Sequence, residues 1–192
     1  MSANLCIILS IAIAGILATI VWQKANARPK LQSGIEIERK FLLKNDTWRQ
    51  HIKQSFKIKQ GYLSRGKNST VRIRVDEEHS YLTIKGPTNG STRTEFEYEI
   101  PHDEAEIMLK MCVESLIYKV RHIVMVGDMK WEIDAFVLDN DGLVVAEIEL
   151  DSETQQFDMP DWIGKEVTHD PRYYNSNLSL NPYSQWLQKE IS

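Results

Sequence analysis

Short segments in which charged and apolar residues alternate run through most of this chain. In residues 34–43, GIEIERKFLL, the charged residues Glu36, Glu38 and Lys40 occupy every second position, and isoleucines lie between them. Successive side chains of a β-strand point to opposite faces of the sheet. The segment therefore predicts a strand with one charged face and one apolar face, on which Arg39 is the exception.

Seven further segments show the same alternation, and turn-forming sequences such as GPTNG and DNDG separate several of them. Eight short strands joined by tight turns predict an antiparallel barrel or closed sheet. The fold class is therefore predicted to be mainly β, with a few flanking helices. The seven segments are residues 56–64, 69–76, 80–86, 93–100, 118–126, 129–136 and 143–150.

Two segments predict helices. Residues 102–117 place Ile107, Met111 and Leu116 at helical spacing, so a helix is expected between the fifth and sixth strands. A shorter helix is expected after residues 45–46, where Asn or Asp can cap its first turn.

The charged faces of the predicted strands carry full charges almost exclusively. For one strand alone, a polar face turned to water is the ordinary explanation. Closing the set into a barrel would instead gather these charges in one lumen, which is costly unless the lumen is wet and filled by a ligand of both signs. A polyanion with a divalent metal meets that requirement, because Arg and Lys bind phosphates and carboxylates bind Mg²⁺ or Mn²⁺. The carboxylates are Glu36, Glu38, Glu95, Glu97, Glu132, Asp134, Glu147 and Glu149, and the cations are Lys40, Arg72, Arg74, Lys85, Arg93, Lys119 and Arg121.

Nine blocks of the chain, in order, resemble the CYTH superfamily of triphosphate tunnel metalloenzymes. EIERKFLL matches the ExExK signature, and QGYL, VRIR, LTIKG, RTEFEYEI, YKVRH, WEIDAF, VVAEIEL and WIGKEVTHDPRYYNSNLS follow it, so that the likeness spans about residues 34–180. The blocks look most like those of the short bacterial and plant inorganic triphosphatases. The resemblance implies an eight-stranded antiparallel tunnel that binds a triphosphate in its lumen.

The resemblance also implies roles for the charged residues. Glu36, Glu38, Glu147 and Glu149 would form the main metal site, and the other four carboxylates would hold a second metal or orient its waters. The cations would bind the phosphates, with Lys119 and Lys40 as catalytic candidates and Lys119 as a possible general base. After the strands, Lys165 is a candidate phosphate contact and Glu166 a metal or structural residue, although a solvated loop explains both equally well. Tyr173, Tyr174, Leu178 and Trp186 are expected to pack as a core or plug.

The activity expected from this resemblance is metal-dependent hydrolysis of inorganic tripolyphosphate to pyrophosphate and phosphate. The alternatives are an adenylate cyclase of class IV type, a thiamine triphosphatase, and a polyphosphate-binding module without turnover. The net charge of −4 and the pI of about 5.8 argue against a general nucleic-acid binder. The two cysteines form no disulfide framework or zinc motif.

The first thirty residues predict a membrane anchor. Residues 5–22 are uncharged and mostly apolar, and as a helix they would span roughly 27 Å. Lys24, Arg28 and Lys30 follow the run, which favours a single-pass anchor with residues 31–192 as a cytoplasmic tunnel domain. The alternative is export after cleavage near residues 25–27, ANA, which resemble a signal-peptidase site.

Overall fold

Eight strands close into an antiparallel barrel in the computed structural model, which describes residues 32–186. A ninth strand and several short helices flank it. The strands are β1 (Gln32–Leu43), β2 (Ile52–Arg65), β3 (Thr70–Val75), β4 (Ser80–Lys85), β5 (Thr92–Glu99), β6 (Ile117–Val126), β7 (Met129–Phe136), β8 (Val144–Glu149) and β9 (Ile163–Glu166). The helices are α1 (His102–Leu109) and α2 (Asn175–Leu178), with 3-10 turns at Thr47–His51, Leu138–Asn140, Pro171–Tyr173 and Tyr183–Gln185.

The long first strand closes the barrel. The strand order is β5-β4-β3-β2-β6-β7-β8-β1, and β1 pairs in addition with β5. The first half of β1, from Gln32 to Ile37, pairs with β5, and residues 38–42 pair with β8. This arrangement agrees with the predicted closed eight-stranded tunnel. The strand β9, which was not among the predicted strands, pairs with β1 at Phe41 and Leu43.

The apolar faces of the strands form the outer surface of the barrel and are covered by other segments. Trp131 and Ile133 of β7 are fully buried in a cluster with Trp162, next to β9. On another side, Ile73 of β3 packs with Leu109 of α1. Complete burial of one such side chain is worth about 1.5–3 kcal/mol, so covering the outside stabilises the barrel and leaves the charged faces inside.

The C-terminal segment closes part of the barrel interior. Leu178 is completely buried and packs with Ile117, Phe136 and Val145. Each of the three lies two residues along its strand from an interior charged residue, namely Lys119, Asp134 or Glu147. Residues two apart in a strand point to the same face, so the cluster lies on the interior face. Tyr173 and Trp186 pack against the same cluster, as predicted for a plug, whereas Tyr174, the remaining residue of that prediction, is not part of it.

The predicted helix at 102–117 is shorter than expected. It ends at Leu109, and its buried positions are Ala105 and Leu109, with Cys112 in the following turn. Ile107 and Met111, two of the apolar residues whose spacing predicted the helix, are exposed, and Ala105 and Leu109 form its buried side instead.

The transmembrane part of the predicted fold class needs correction. Among residues 32–186, no helix has the length and apolar character needed to cross a membrane. The predicted span, residues 5–22, lies outside the described residues. The fold class supported here is therefore the antiparallel barrel with a few flanking helices. The division at residue 30 and the cellular location stay predictions.

Candidate active site

The barrel lumen contains a cavity of about 610 Å³, which is a size typical of small-molecule sites. Of the fifteen charged residues that the sequence placed in the lumen, all but Lys119 and Asp134 line this cavity. The alternation of charged and apolar residues therefore correctly identified the inner face. The charged residues lining the cavity are Glu36, Glu38, Lys40, Arg72, Arg74, Lys85, Arg93, Glu95, Glu97, Arg121, Glu132, Glu147 and Glu149, together with Lys130.

Strand register brings opposite charges together on one side of the lumen. Glu36 lies opposite Arg93, and Arg93 Nε donates to Glu36 Oε2 at 2.5 Å. Lys85 lies opposite Glu95, and Lys85 Nζ is 2.6 Å from Glu95 Oε2. Burial and the neighbouring guanidinium groups lower the pKa of Lys85 to about 8. Burial opposes ionisation of Glu36, but Lys85 and Arg93 outweigh it and hold the pKa of this carboxyl well below its usual range.

Two arginines of β3 share one carboxylate. Arg72 Nη2 is 3.2 Å from Glu97 Oε2, and Arg74 Nη2 is 3.1 Å from Glu97 Oε1. Thr83 Oγ1 donates to the same carboxylate at 2.8 Å and accepts from Arg72 at 3.0 Å. The Nε atoms of both arginines are buried and have no hydrogen-bond acceptor within residues 32–186. Each guanidinium group therefore has donor capacity left for an anion in the lumen.

A charged network connects the cavity wall with two buried residues beneath it, Lys119 and Asp134. Asp134 Oδ2 accepts from Lys119 Nζ at 2.5 Å and from Arg121 Nη2 at 2.6 Å, and Arg121 Nε donates to Asp134 Oδ1 at 2.7 Å. Arg121 also contacts Glu132, and its Nη2 lies 2.9 Å from Glu147. Burial lowers the pKa of Lys119 to about 8, with Arg121 acting in the same direction. Lys119 does not reach the cavity surface, so the predicted general base lies one layer below the lumen.

Lys40 is in the cavity itself. Its ammonium group donates to both Glu38 and Glu147, from adjacent strands. The backbone of Lys40 is fixed by β9 and the following residues, since its amide donates to Thr168 Oγ1 at 3.0 Å and its carbonyl accepts from the Val167 amide at 2.8 Å. The ExExK signature thus supplies a lysine that connects two of the predicted metal-binding carboxylates.

The carboxylates fit a hard divalent cation by their chemistry and register. Glu38 lies directly opposite Glu149, and Glu132 directly opposite Glu147. Like charges in these positions repel each other unless a cation lies near. Glu149 has no ion pair with a residue in the described part of the chain, and burial and the nearby Glu36 raise its pKa. Within residues 32–186 no three acidic, His or Cys groups are gathered into a metal cage, and most of the lumen carboxylates contact Lys or Arg.

Lys165 and Glu166 lie away from the lumen. Glu166 forms a bidentate ion pair with Arg39 on the outer face of β1: Arg39 Nε donates to Glu166 Oε1 at 2.9 Å, and Nη2 donates to Oε2 at 2.5 Å. Lys165 is exposed and does not line the cavity, so the structure does not bring it together with the other predicted phosphate contacts. Of the two explanations offered by the sequence, the structure favours the structural one for Glu166.

Several residues that the sequence analysis did not place in the lumen also line the cavity. Tyr62 of β2 faces the lumen, and burial raises the pKa of its hydroxyl to about 12. The segment Tyr174–Ser176 borders the cavity as well. Lys130 could have been identified from alternation with Glu132, to which it is paired at 2.8 Å. No local sequence pattern predicts where the C-terminal segment lies, because its position depends on how it packs against the barrel.

A closed antiparallel barrel with a lumen of interleaved cations and carboxylates defines a tunnel protein suited to an anionic ligand and a metal. The CYTH domain model matches residues 34–177, which is most of the chain. The chain therefore belongs to the CYTH domain family.

Two curated relatives are named inorganic triphosphatase. That of Acetivibrio thermocellus is 46% identical over 154 residues, an alignment that covers 80% of this chain and 98% of the relative. That of Nitrosomonas europaea is 32% identical over 150 residues and covers 76% of this chain and 97% of the relative. A crystal structure of an inorganic triphosphatase is similar with a TM-score of 0.55 and 30% identity, over 76% of this chain and 94% of that chain.

Proposed function

We propose that this chain is a metal-dependent triphosphatase that hydrolyses inorganic tripolyphosphate to pyrophosphate and phosphate in the barrel lumen. The observation that carries the proposal is the pair Arg72 and Arg74, which line a cavity that also holds carboxylates. The buried Nε donors of both arginines have no acceptor among the described residues. The relatives named inorganic triphosphatase support the same reaction class. Residues 34–177 place the chain in a family whose tunnel enzymes depend on metal ions.

In the proposed mechanism, substrate binding exchanges the partners of the lumen charges. Phosphate oxygens replace carboxylates as acceptors for the cavity cations, because Arg and Lys bind phosphates through short, charge-assisted hydrogen bonds. The carboxylates released from these ion pairs then have oxygens available for a metal. The cavity cations that bind phosphate are Lys40, Arg72, Arg74, Lys85, Arg93 and Arg121.

We assign the metal to Glu36, Glu38, Glu147 and Glu149. The remaining lumen carboxylates would orient water molecules bound to the metal. These groups offer only oxygen donors, which favours Mg²⁺ or Mn²⁺. A bound ion of this kind neutralises phosphate charge and can lower the pKa of an attacking water.

The two predicted catalytic lysines have different roles in this proposal. Lys40 projects into the cavity between Glu38 and Glu147 and stabilises negative charge on the phosphoryl group that is transferred. Lys119 contacts Asp134 beneath the cavity, and Asp134 in turn holds the guanidinium group of Arg121. We therefore treat Lys119 as a positioning residue that acts through Asp134 and Arg121.

The test is product analysis with the full-length protein after removal of metal by chelation. Tripolyphosphate, ATP or thiamine triphosphate is supplied with Mg²⁺ or Mn²⁺. We expect phosphate and pyrophosphate from tripolyphosphate only when metal is added, and a loss of at least tenfold, equivalent to roughly 1.4 kcal/mol, in Glu38→Gln. Glu166→Gln is the matched control, because it removes the same charge outside the lumen.

Other outcomes would replace the proposed reaction. Cyclic nucleotide and pyrophosphate from ATP would make the protein a cyclase, and preferential turnover of thiamine triphosphate would change the substrate. Tight binding of tripolyphosphate without any product would indicate a binding module. Equal activity of Glu38→Gln and the native protein would refute the metal assignment.

A further inference from the structure

One part of the cavity wall comes from a segment rather than from a barrel strand. Tyr174, Asn175 and Ser176 line the same cavity as the charged residues of the lumen. All three are uncharged, so this part of the wall offers neutral hydrogen-bonding groups beside the cations.

The segment is held in place from behind. Leu178 anchors it in the buried apolar cluster at the end of the barrel. Asn177 Oδ1 accepts from Arg65 Nη2 at 2.8 Å, and Asn177 Nδ2 donates to the Pro171 carbonyl at 2.7 Å. The Tyr174 hydroxyl donates to the Thr168 carbonyl at 3.3 Å. These contacts fix the backbone on both sides of Asn175.

Asn175 itself is not satisfied in the same way. Its Oδ1 atom is buried and has no hydrogen-bond partner within residues 32–186. A buried polar atom without a partner costs about 1–3 kcal/mol. Because the contacts of Asn177 and Leu178 hold the segment, the backbone cannot move to relieve this cost. An unsatisfied amide fixed at the wall of a charged cavity indicates a group held for a ligand.

We propose that Asn175 is a phosphate-binding residue of the tunnel. The Nδ2 atom of the same amide forms no hydrogen bond within residues 32–186 and, unlike Oδ1, is not buried, so it is the donor available at the cavity wall. Nδ2 donates a hydrogen bond to a phosphate oxygen of the bound triphosphate, while the buried Oδ1 end stays fixed behind it. This inference rests on the proposed function only for the class of ligand, a linear polyphosphate.

The inference makes an unusual joint prediction about binding and stability. Asn175→Ala removes the donor, and loss of one hydrogen bond to a charged acceptor corresponds to roughly a ten- to hundredfold increase in Kd. The same substitution removes an unsatisfied buried atom, so the midpoint of thermal unfolding should stay the same or rise. Asn175→Asp keeps the shape but replaces the donor by an anionic acceptor, so its Kd for tripolyphosphate should exceed that of Asn175→Ala.

The matched control is Asn177→Ala, two residues away in the same segment. The side chain of Asn177 bonds to two protein groups in the described structure, Arg65 and the Pro171 carbonyl, so its loss should lower the unfolding midpoint. The measurements are titration calorimetry of the full-length, chelator-treated protein with tripolyphosphate, together with thermal unfolding of each variant. Neither measurement requires turnover.

The results separate this inference from the proposed reaction. If Asn175→Ala leaves Kd unchanged, or if Asn175→Asp binds tripolyphosphate as well as the native protein, Asn175 is not a phosphate donor. If Asn175→Ala lowers the unfolding midpoint as much as Asn177→Ala, its role is structural and the inference is wrong. A native protein that binds tripolyphosphate but releases no product would contradict the proposed hydrolysis and leave the assignment of Asn175 intact.

Discussion

The buried pair of Lys119 and Asp134 gives the most quantitative prediction. Asp134 is completely buried and is the only residue within 32–186 with which Lys119 forms an ion pair. Asp134→Asn keeps the volume of the side chain but leaves the Lys119 ammonium as a buried charge without a counter-ion. Removal of one partner of a buried ion pair costs about 3–5 kcal/mol.

We expect the lower end of that range for Asp134→Asn. Arg121, the other partner of Asp134, keeps its contacts with Glu132 and Glu147, so most of the loss falls on Lys119. A loss of about 3 kcal/mol corresponds to a decrease of roughly 6–12 °C in the unfolding midpoint of a domain of this size. Asp134 raises the pKa of Lys119, so without it the lysine loses its proton below its native pKa of about 8. The deficit of Asp134→Asn relative to the native protein should therefore shrink as pH rises towards about 8.

Urea unfolding of a double-mutant cycle tests the reasoning. Lys119→Met removes the other charge, and the double variant Lys119→Met with Asp134→Asn should be at least about 1 kcal/mol more stable than the sum of the single effects predicts. The control is Asp170→Asn, which breaks an exposed pair with Arg172 and should cost less than about 1 kcal/mol. Strict additivity in the cycle, or a cost for Asp134→Asn no larger than that of the control, would refute the argument.

Three further predictions concern pH, ligand and backbone packing. Burial opposes ionisation of Glu147, but Lys40 and Arg121 hold its pKa well below the ordinary 4.5, so the unfolded chain binds more protons as pH falls through 4.5. Stability present above that pH should be lost below it, and the decline should be shallower in Glu147→Gln, as measured by acid unfolding. Tripolyphosphate at about 100 times its Kd should stabilise the protein by about 2.7 kcal/mol in thermal unfolding, and an unchanged midpoint would contradict lumen binding. Gly164→Ala would place Cβ 2.8 Å from the Leu42 carbonyl oxygen and should cost about 1–3 kcal/mol, whereas Gly34→Ala meets nothing within 4 Å and should cost less.

Much of the barrel could be predicted because its strands are locally encoded. Alternation located the eight barrel strands and assigned almost every lumen charge to the correct face, since side-chain direction in a strand has a strict period of two. Even Arg39, the exception in the first segment, follows this rule: it points outward and pairs with Glu166. The short strand β9 escaped prediction because four residues carry too little pattern to be separated from a loop.

The helical region was predicted less well. Apolar spacing over 102–117 suggested one continuous helix, but the chain leaves helical geometry after Leu109. The helix packs against the outer face of β3 and Leu82 of β4, and this surface decides which apolar residues of the helix are buried. That surface does not exist until the barrel has formed.

The sequence by itself determined the strands, their two faces and the mixture of charges that a closed sheet would enclose, because these follow from local periodicity and residue chemistry. Only the tertiary structure decided how deep each charge lies. Lys119 and Lys40 have similar sequence contexts, yet Lys119 is beneath the cavity against Asp134 and Lys40 is within it. The structure alone also placed Asn175 at the cavity wall, because long-range packing of Leu178 against β6, β7 and β8 positions that segment. Burial and distance between residues far apart in the chain are properties of the closed barrel, and no local pattern contains them.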